Sequence, residues 1–291
     1  MEKFKVSIII PVYNEESTIK NVLEELREFL ENKKEIEYEI ICVNDSSKDN
    51  SLKILKSISF IKVINHKTNR GYGASLKSGI KSASNDIILI MDSDGQHKPQ
   101  DIPRILKPLK NGYDMVVGSR KITNTQKNRV LGKILIHKLA NYLMRAKIPD
   151  INSGFRAFYK EDAKKVLHLC SERFSFTTSL TAIYLQEYKN IRYIPIEVRD
   201  RSGGKSSVNI KTGFRTILKI IQIVMAFNPL RVILPISFFF GILSFISFVH
   251  DLFKMNLTDT TVLLSTMTVL TFIFALISDQ ISTIRKELWI R

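Results

Sequence analysis

The sequence predicts an α/β protein: a doubly wound, mostly parallel sheet, followed by an amphipathic helix and a two-helix transmembrane hairpin. Two observations support this prediction. Short, continuously apolar segments alternate with amphipathic helical patterns in the first half of the 291 residues, which is typical of parallel strands covered by helices on both faces. Near the C-terminus, two segments without charged residues each approach the length of a bilayer span.

The first half alternates strands and helices in chain order. The first strand is predicted at residues 6–12, and apolar residues from Ile19 to Leu30 recur after it at the spacing of one helical face. The same alternation continues with strands at 38–43, 61–64, 87–91 and 115–118, and with helices around 52–58, 75–83 and 99–110. The sequence therefore predicts five strands connected by helices.

Beyond residue 120 the alternation is less regular. We predict a helix at 131–144, a strand at 155–159, helices at 163–169 and 178–188, and a strand at 192–198. A polar, glycine-bearing loop follows at 199–207. Residues 1–209 are therefore predicted to form one domain.

Residues 210–228 are predicted to form an amphipathic helix with one polar stripe, made by Lys211, Arg215, Lys219 and Gln222. Such a stripe is typical of a helix in the membrane interface, and also of a core helix with one solvated face. The following segment, 229–291, favours the interfacial reading. Its stretches 232–249 and 261–278 carry no charge over 18 residues each, so we predict two transmembrane spans in contact with membrane lipids.

The charges that flank the two spans predict the orientation. The connector 250–260 holds one lysine against two aspartates, whereas the outer ends of the hairpin are basic through Arg215, Arg231, Arg285, Lys286 and Arg291. The positive-inside rule therefore predicts an integral membrane protein whose catalytic-size domain and both termini are cytoplasmic.

The chain is basic, with 44 Lys and Arg against 28 Asp and Glu and a net charge of +16. This balance suits an anionic partner. The basic stretches lack interleaved aromatic residues, so no nucleic-acid partner is predicted. Cys42 and Cys170 show neither metal-ligand spacing nor a disulfide framework, which fits a reducing compartment. Cys42 stands in the apolar run IICV and is expected to be a buried free thiol.

Acidic residues stand at the ends of three predicted strands. Glu15 follows the first strand, Asp45 the second, and Asp92 with Asp94 the fourth. Because ligands gather at the carboxyl ends of strands in open α/β sheets, these carboxylates are expected on one edge. There a divalent cation, Mg²⁺ or Mn²⁺, would offset their repulsion. Nearby His97 is expected to be a solvated loop histidine rather than a ligand.

Six stretches in this order, VSIIIPVYNEE, VNDSSKDNS, NRGYGASLKSG, IILIMDSDGQHKP, VVGSR and DINSGFRAF, resemble family 2 glycosyltransferases. More narrowly, they are similar to the polyprenyl-phosphate sugar transferases, such as dolichol-phosphate mannose synthase and bactoprenol glucosyltransferase. The resemblance covers about residues 5–207, and the C-terminal hairpin is similar to that of the membrane-anchored members. It implies a GT-A fold, a nucleotide-sugar donor and a polyprenyl phosphate acceptor.

The resemblance also implies roles for individual residues. It places the nucleotide at Pro11, Tyr13, Glu15 and Asp45, and the metal and diphosphate at Asp92, Asp94 and Gln96. It implies that Asp150 lies near the donor sugar and is catalytic together with Asp92 and Asp94. The acceptor phosphate is assigned to Arg120, Lys133, His137, Ser153 and Arg201, with Arg129 and Arg156 as further cations. Asn44 stands where many relatives have Asp, and Ser207 stands where relatives often have Lys, which leaves the roles of Lys205 and Ser206 open.

These features lead to the hypothesis of an inverting, metal-dependent transferase that moves a hexose from a UDP- or GDP-linked sugar to polyprenyl phosphate. The acceptor phosphate is already anionic, so no strong general base is expected. Alternatives are a processive polysaccharide synthase, a transferase that forms another glycolipid, and a catalytically silent nucleotide-binding membrane scaffold. The donor base, the sugar, the polyprenyl type and the oligomeric state stay open, and a homo-oligomer is compatible with the sequence.

Overall fold

A computed structural model describes residues 3–120, 141–144, 146–150, 153–173, 175–199 and 210–290. Side chains are described for these residues except 210–217, 219 and 286–290. Residues 200–207 of the predicted polar loop 199–207 and residues 131–140 of the predicted helix 131–144 lie outside the described residues, whereas Arg199 is described and 141–144 are helical. The described side chains of the polar stripe on the amphipathic helix are limited to Gln222.

Seven strands form one sheet in the described part of the chain, in the order β3-β2-β1-β4-β6-β5-β7. Their bounds are β1 Phe4–Val12, β2 Ile36–Asn44, β3 Lys62–Asn65, β4 Ile87–Ile90, β5 Met115–Arg120, β6 Arg156–Tyr159 and β7 Ile191–Ile196. The pairs β1–β2, β1–β4, β2–β3 and β5–β7 are parallel, whereas β6 runs antiparallel to both β4 and β5. The predicted doubly wound, mostly parallel sheet is therefore confirmed.

The antiparallel strand β6 matters for the site. Because it runs against its neighbours, its amino end lies at the edge where β4 and β5 have their carboxyl ends. The segment before β6, which includes Asp150, Ser153 and Gly154, therefore reaches the edge that carries the acidic strand ends.

The helices of the domain are α1 Ile19–Glu31, α2 Ser51–Lys56, α3 Tyr72–Ser82, α4 Ile102–Leu106, α5 Lys160–Val166 and α6 Phe176–Gln186. The predicted helix at 99–110 is interrupted: 3-10 turns at Pro99–Asp101 and Lys107–Asn111 flank the short α4. Proline has no N–H to donate and disfavours helical geometry in the residue before it, so Pro99, Pro103 and Pro108 explain the interruption.

Two apolar layers cover the sheet. One contains Ile8 and Ile10 with α1 and α4, and the other contains Ile9 and Ile90 with α3, α5 and α6. Successive side chains of a strand point to opposite faces, so continuous apolar strands such as β1 supply both layers. Cys42 is a buried free thiol as expected, and Cys170 is buried as well. Burial raises the pKa of both thiols, that of Cys170 to about 12.

Three long helices end the described chain: α7 Ile210–Phe227, α8 Leu230–Lys254 and α9 Asp259–Ile290. Ile220, Ile223, Val224 and Phe227 of α7 are buried in the same cluster as Leu180 and Ile183 of α6. The described apolar side of α7 therefore packs against the domain, while Leu218 is exposed.

Helices α8 and α9 form a hairpin that is long and apolar enough to cross a membrane, and most of its surface is exposed. The predicted spans 232–249 and 261–278 fall within these two helices. Hydroxyl groups join them: Ser237 Oγ donates to the carbonyl oxygen of Thr268 at 3.1 Å, and the hydroxyls of Ser244 and Ser265 lie 2.7 Å apart. Such hydrogen bonds pair hydroxyl groups that would find no partner in the apolar interior of a lipid bilayer.

Candidate active site

The candidate site lies at the carboxyl ends of β1 and β4. These strands are neighbours in the sheet, with Ile9 opposite Ile90, although β2 and β3 separate them in sequence. On one side of this junction the order runs β1-β2-β3, and on the other it continues through β4. Such a reversal of strand order is the usual ligand-binding position of open α/β sheets.

The loops after β1 and β2 are joined by hydrogen bonds. The backbone N–H of Lys48 donates to Asn14 Oδ1 at 2.8 Å, and that of Glu15 donates to Ser51 Oγ at 2.9 Å. Asn14 has a φ of 56°, a left-handed conformation that asparagine tolerates better than most residues. Pro11 is buried in β1, whereas Tyr13 is 43% exposed and available to a ligand.

Asp45 is buried and anchors the loop that precedes α3. Its carboxylate accepts hydrogen bonds from the backbone N–H groups of Arg70 and Gly71, at 2.9 and 2.7 Å, and lies 2.8 Å from Nδ1 of His66. The described contacts of Asp45 are therefore with the protein's own loop. Its implied role at the nucleotide stays a prediction.

Asp92 is held between a phenol and a glycine. The hydroxyl of Tyr72 donates to Asp92 Oδ1 at 2.9 Å, and burial together with the nearby Asp92 carboxylate raises the pKa of Tyr72 well above its ordinary value. On the other side, a Cβ on Gly154 would overlap the Asp92 carboxylate. The orientation of Asp92 is thus fixed by residues of α3 and of the segment before β6.

Asp94 and Gln96 form a tight turn at the same edge. The backbone N–H of Gln96 donates to Asp94 Oδ1 at 3.1 Å, and Gly95 within the turn has a φ of 75°. The side-chain amide of Gln96 donates to the carbonyl oxygen of Arg199 at 3.3 Å, and the Arg199 N–H returns a bond to the Gln96 carbonyl at 3.0 Å. Gln96 therefore joins the acidic turn to the end of the domain.

The expectation that His97 is a solvated loop histidine is wrong. Its side chain is buried, its ring stacks on Phe155 at 5.0 Å, and its Nδ1 accepts the backbone N–H of Asp92 at 3.3 Å. The cause is the antiparallel strand β6, which brings Phe155 against the acidic loop. His97 therefore helps to hold the backbone of Asp92 in place.

Arg120 and Asp150 form a two-point ion pair. Nε of Arg120 lies 2.7 Å from Oδ2 of Asp150, and Nη2 lies 3.0 Å from Oδ1. The pair lies at the same edge as the acidic turn, because β6 stands between β4 and β5 and the segment from Asp150 to β6 places Gly154 against Asp92. Asp150 first, and then the charges of Asp92 and Asp94, raise the pKa of the Arg120 guanidinium. This geometry joins the predicted sugar-side acid to a predicted phosphate-side cation.

Arg156, considered from sequence as a cation for phosphate, is instead completely buried. Its guanidinium donates to the carbonyl oxygen of Ser153, to that of Thr177 at 2.9 Å and to the hydroxyl of Thr181 at 2.8 Å. Burial lowers its pKa. Arg156 therefore holds the segment before β6 in place, while the buried Ser153 hydroxyl has no hydrogen-bond partner among the described residues.

The donor set at this edge suits a hard divalent cation that is completed by substrate. In the part of the chain that the structure describes, no three His, Cys, Asp or Glu side chains group as a metal site. Mg²⁺ commonly takes only one or two carboxylates and fills its other positions with water and substrate phosphates. The carboxylates of Asp92 and Asp94 match that pattern.

Lys133, His137, Arg129 and Arg201, together with Lys205, Ser206 and Ser207, lie outside the described residues. Of the other predicted site residues, the structure gathers Pro11, Tyr13, Glu15, Asp45, Asp92, Asp94, Gln96, Arg120, Asp150 and Ser153 on the same edge of the sheet. Sequence reasoning did not identify Tyr72 as a partner of Asp92. The available signal was its place in NRGYGAS, immediately before a predicted helix.

Comparison with known families gives two matches along the chain. Residues 7–167 match the model of glycosyl transferase family 2, and residues 228–284 match that of the GtrB C-terminal hairpin. The first match covers the strands that carry the acidic ends, and the second covers α8 and most of α9. The hairpin match, together with the length and apolar surface of the two helices, indicates a membrane protein.

Two relatives illustrate the similarity. The dolichol-phosphate mannosyltransferase of Pyrococcus furiosus is 30% identical over 230 residues, which span 75% of this chain and 63% of that protein. The UDP-N-acetylglucosamine–dolichyl-phosphate N-acetylglucosaminyltransferase of Methanococcus voltae is 30% identical over 249 residues, which span 76% of this chain and 96% of that protein.

A solved structure shares the fold. The glucosyl-3-phosphoglycerate synthase of Mycobacterium tuberculosis, crystallised with Mn²⁺, uridine diphosphate and phosphoglyceric acid, superposes with a TM-score of 0.58 at 18% identity. The match covers 76% of this chain and 78% of that one. At this identity the likeness concerns the fold, and it confirms the predicted GT-A-type architecture.

Proposed function

The chain belongs to glycosyl transferase family 2, and we propose that it transfers a hexose from a nucleotide-sugar to polyprenyl phosphate at the cytoplasmic face of a membrane. One observation carries the proposal. The acidic turn of Asp92 and Asp94 lies at the β1–β4 junction, and the segment that carries the Arg120–Asp150 ion pair reaches the same edge, where Gly154 lies against Asp92. A site for a diphosphate-bearing donor and a cation for an anionic acceptor thus adjoin.

Residues at the carboxyl ends of β1 and β2 support the proposed binding of a nucleotide-sugar donor. The exposed ring of Tyr13 can contact the base or ribose, and the loops that carry Glu15 and Asp45 are fixed by internal hydrogen bonds. A preorganised polar edge loses little conformational entropy when it binds a nucleotide. The relatives' names agree, since one of them uses a UDP-linked sugar.

Asp92 and Asp94 are the residues that would hold Mg²⁺ or Mn²⁺. Gln96 stabilises their turn through its hydrogen bonds to Asp94 and to the backbone of Arg199. When bound, such a cation would stabilise the negative charge that develops on the leaving diphosphate. Tyr72 and Gly154 keep the Asp92 carboxylate in one orientation, and His97 accepts a hydrogen bond from the Asp92 backbone N–H. These contacts provide the preorganisation that electrostatic catalysis requires.

The acceptor side is supported by Arg120. A guanidinium binds phosphate at two points, and its pairing with Asp150 holds the cation in place before the acceptor arrives. An oxygen of the acceptor phosphate would attack the anomeric carbon as the bond from that carbon to the β-phosphate oxygen breaks. Direct displacement inverts the anomeric configuration and gives a β-linked product from an α-linked donor, and no general base is needed because the attacking oxygen is already anionic.

The membrane hairpin supports a lipid acceptor. Helix α7 packs against α6 of the domain, and Ser282 of α9 donates to the carbonyl oxygen of Ala226 in α7 at 2.9 Å. The domain is therefore held directly beside the hairpin, where a lipid phosphate is located. The basic residues Arg231 and Arg285 at the outer ends of the hairpin favour the cytoplasmic side.

The test is transfer of label from nucleotide-sugars to polyprenyl phosphate in membranes that contain the full chain. UDP- and GDP-linked hexoses are supplied separately, and diacylglycerol replaces polyprenyl phosphate as the control acceptor. We expect a lipid-soluble product with one donor class that requires polyprenyl phosphate. Transfer to diacylglycerol, formation of a polymer, or the absence of transfer with every donor would overturn the proposal.

A further inference from the structure

A basic groove lies between α3 and the α5 region, along the turns of α3 that follow Tyr72. Its volume is about 510 Å³. Its charged lining consists of Arg70, Lys77, Lys81 and Lys164, opposed by Glu172, and the imidazole of His168 also lines it. No residue assigned to the donor or acceptor lines this groove, so its charge needs a separate explanation.

Lys77 is the most informative residue of the groove. Its side chain is only 15% exposed, and its Nζ lies 4.0 Å from Oε1 of Glu172, whose own side chain is 60% exposed. Removing an ammonium group from water is costly unless a close counter-charge replaces the water. A contact at 4.0 Å with a solvated carboxylate compensates this cost poorly, so an additional anion would stabilise Lys77.

Charged residues next to Lys77 also favour the binding of an anion in the groove. Lys81 is exposed one helical turn after Lys77, and like charges at this spacing repel each other. Lys164 on the opposite wall has its own partner, Glu161, at 3.0 Å. The groove therefore keeps an excess of positive charge that a compact, multiply charged anion would neutralise.

The walls of the groove are fixed before any ligand binds. The backbone N–H of Ala74 donates to the carbonyl oxygen of Glu172 at 2.8 Å, and Gly73 has no room for a Cβ against the backbone of 171–173. Ser78 lies 2.9 Å from Nε2 of His66, which in turn contacts Asp45. The groove is thus preformed and connected to the loop at the end of β2.

We propose that this groove is a second anion site that binds a phosphate group, supplied either by an anionic lipid headgroup or by a soluble phosphate. The proposal does not depend on the transferase activity, because it rests on the burial of Lys77 and the charge of the groove. It predicts binding in the absence of nucleotide-sugar and acceptor.

The test uses the full chain in neutral detergent and isothermal titration calorimetry. The probes are inorganic phosphate and short-chain phosphatidylglycerol, with short-chain phosphatidylcholine as the uncharged-headgroup control. The variant Lys77→Gln/Lys81→Gln removes two charges from the groove. Lys53→Gln/Lys56→Gln, on exposed positions of α2, removes two charges elsewhere, and Lys81→Gln alone serves where the double variant fails to fold.

We expect at least one anionic probe to bind the wild type, with affinity reduced about tenfold or more in the groove variant and about twofold or less in the α2 variant. Lys81→Gln alone should weaken binding in the same direction. Binding of phosphate identifies a soluble source, and binding of phosphatidylglycerol alone identifies a lipid. Equal losses in both double variants, an unchanged groove variant, or no binding of either anion to the wild type would overturn the proposal.

Discussion

The guanidinium of Arg120 and the carboxylate of Asp150 meet at two points, at 2.7 and 3.0 Å, across 30 residues of sequence. Arg120 ends β5, and Asp150 belongs to the segment that leads to the antiparallel strand β6. The pair therefore exists because β6 reverses direction. It fixes a cation beside the acidic turn before any acceptor phosphate is bound.

Arg120→Lys keeps the charge but loses the planar, two-point geometry. We expect kcat/KM for transfer to polyprenyl phosphate to fall about 10- to 100-fold, because lysine acts as a point charge toward phosphate and carboxylate. Steady-state kinetics with varied acceptor checks this expectation. Arg104→Lys, at an ion pair between the exposed Arg104 and the buried Asp101, is the matched control. Equal activities of wild type and Arg120→Lys would contradict the assignment.

Asp94→Asn tests the metal role of the acidic turn. The amide is nearly isosteric but uncharged, so we expect a fall in transfer of about 100-fold or more and loss of stimulation by Mn²⁺. Chelation of divalent cations should abolish activity in the wild type. Glu37→Gln, at an exposed position of β2, should behave as wild type. Cation-independent transfer by the wild type would remove the metal from the mechanism.

Tyr72→Phe removes the hydroxyl that donates to Asp92. We expect kcat to fall about tenfold, while the free energy of unfolding changes by about 1 kcal/mol. Because the pKa of Tyr72 is raised above its ordinary value of 10.0, the phenol stays protonated and its hydrogen bond persists at neutral and mildly alkaline pH. Its contribution is lost only as the pH rises through that raised pKa.

The pH-dependence of Tyr72→Phe separates orientation from proton transfer. The ratio of wild-type to variant kcat should be constant between pH 7 and pH 9, since the hydroxyl does not ionise there. A ratio that changes strongly in this interval would show that Tyr72 exchanges a proton during turnover. Circular dichroism and thermal unfolding of the variant provide the control for folding.

Much of the fold could be predicted from local patterns. Continuous apolar runs gave β1, β2 and β4, and the acids placed directly after them could be assigned to one edge because parallel strands share their carboxyl end. The hairpin could be predicted because uncharged apolar segments of about 18 residues or more are typical of transmembrane helices. These features depend on residues close together in sequence.

The features that were not predicted depend on pairing between distant segments. The apolar pattern predicts a strand at 155–159, but it contains no information on the direction of this strand or on its place between β4 and β5. That placement buries His97 against Phe155, brings Gly154 against Asp92 and encloses Arg156. A charged or polar side chain in a loop can be solvated or buried, and its burial depends on tertiary contacts that the local sequence does not specify.

Gly154→Ala tests the close approach to Asp92. A methyl group at this position would overlap the carboxylate, so the turn before β6 or Asp92 itself must move. We expect transfer to fall about 100-fold, since a displacement of about 1 Å at a reacting group has this effect, with a loss of about 1–3 kcal/mol in stability. Gly241→Ala, whose added Cβ meets only Thr268 at ordinary contact distance, is the control.

Arg156→Lys tests whether the buried guanidinium holds the segment before β6. Lysine cannot reach the carbonyl oxygens of Ser153 and Thr177 together with the Thr181 hydroxyl, so buried acceptors lose their donors. Each unsatisfied group costs about 1–3 kcal/mol, and we expect the midpoint of urea unfolding to fall markedly. The activity of the remaining folded protein should also fall, because the segment before β6 places Gly154 against Asp92. Lys165→Arg, on an exposed position, should change neither quantity. A fully active Arg156→Lys with wild-type stability would show that the sheet alone positions this segment.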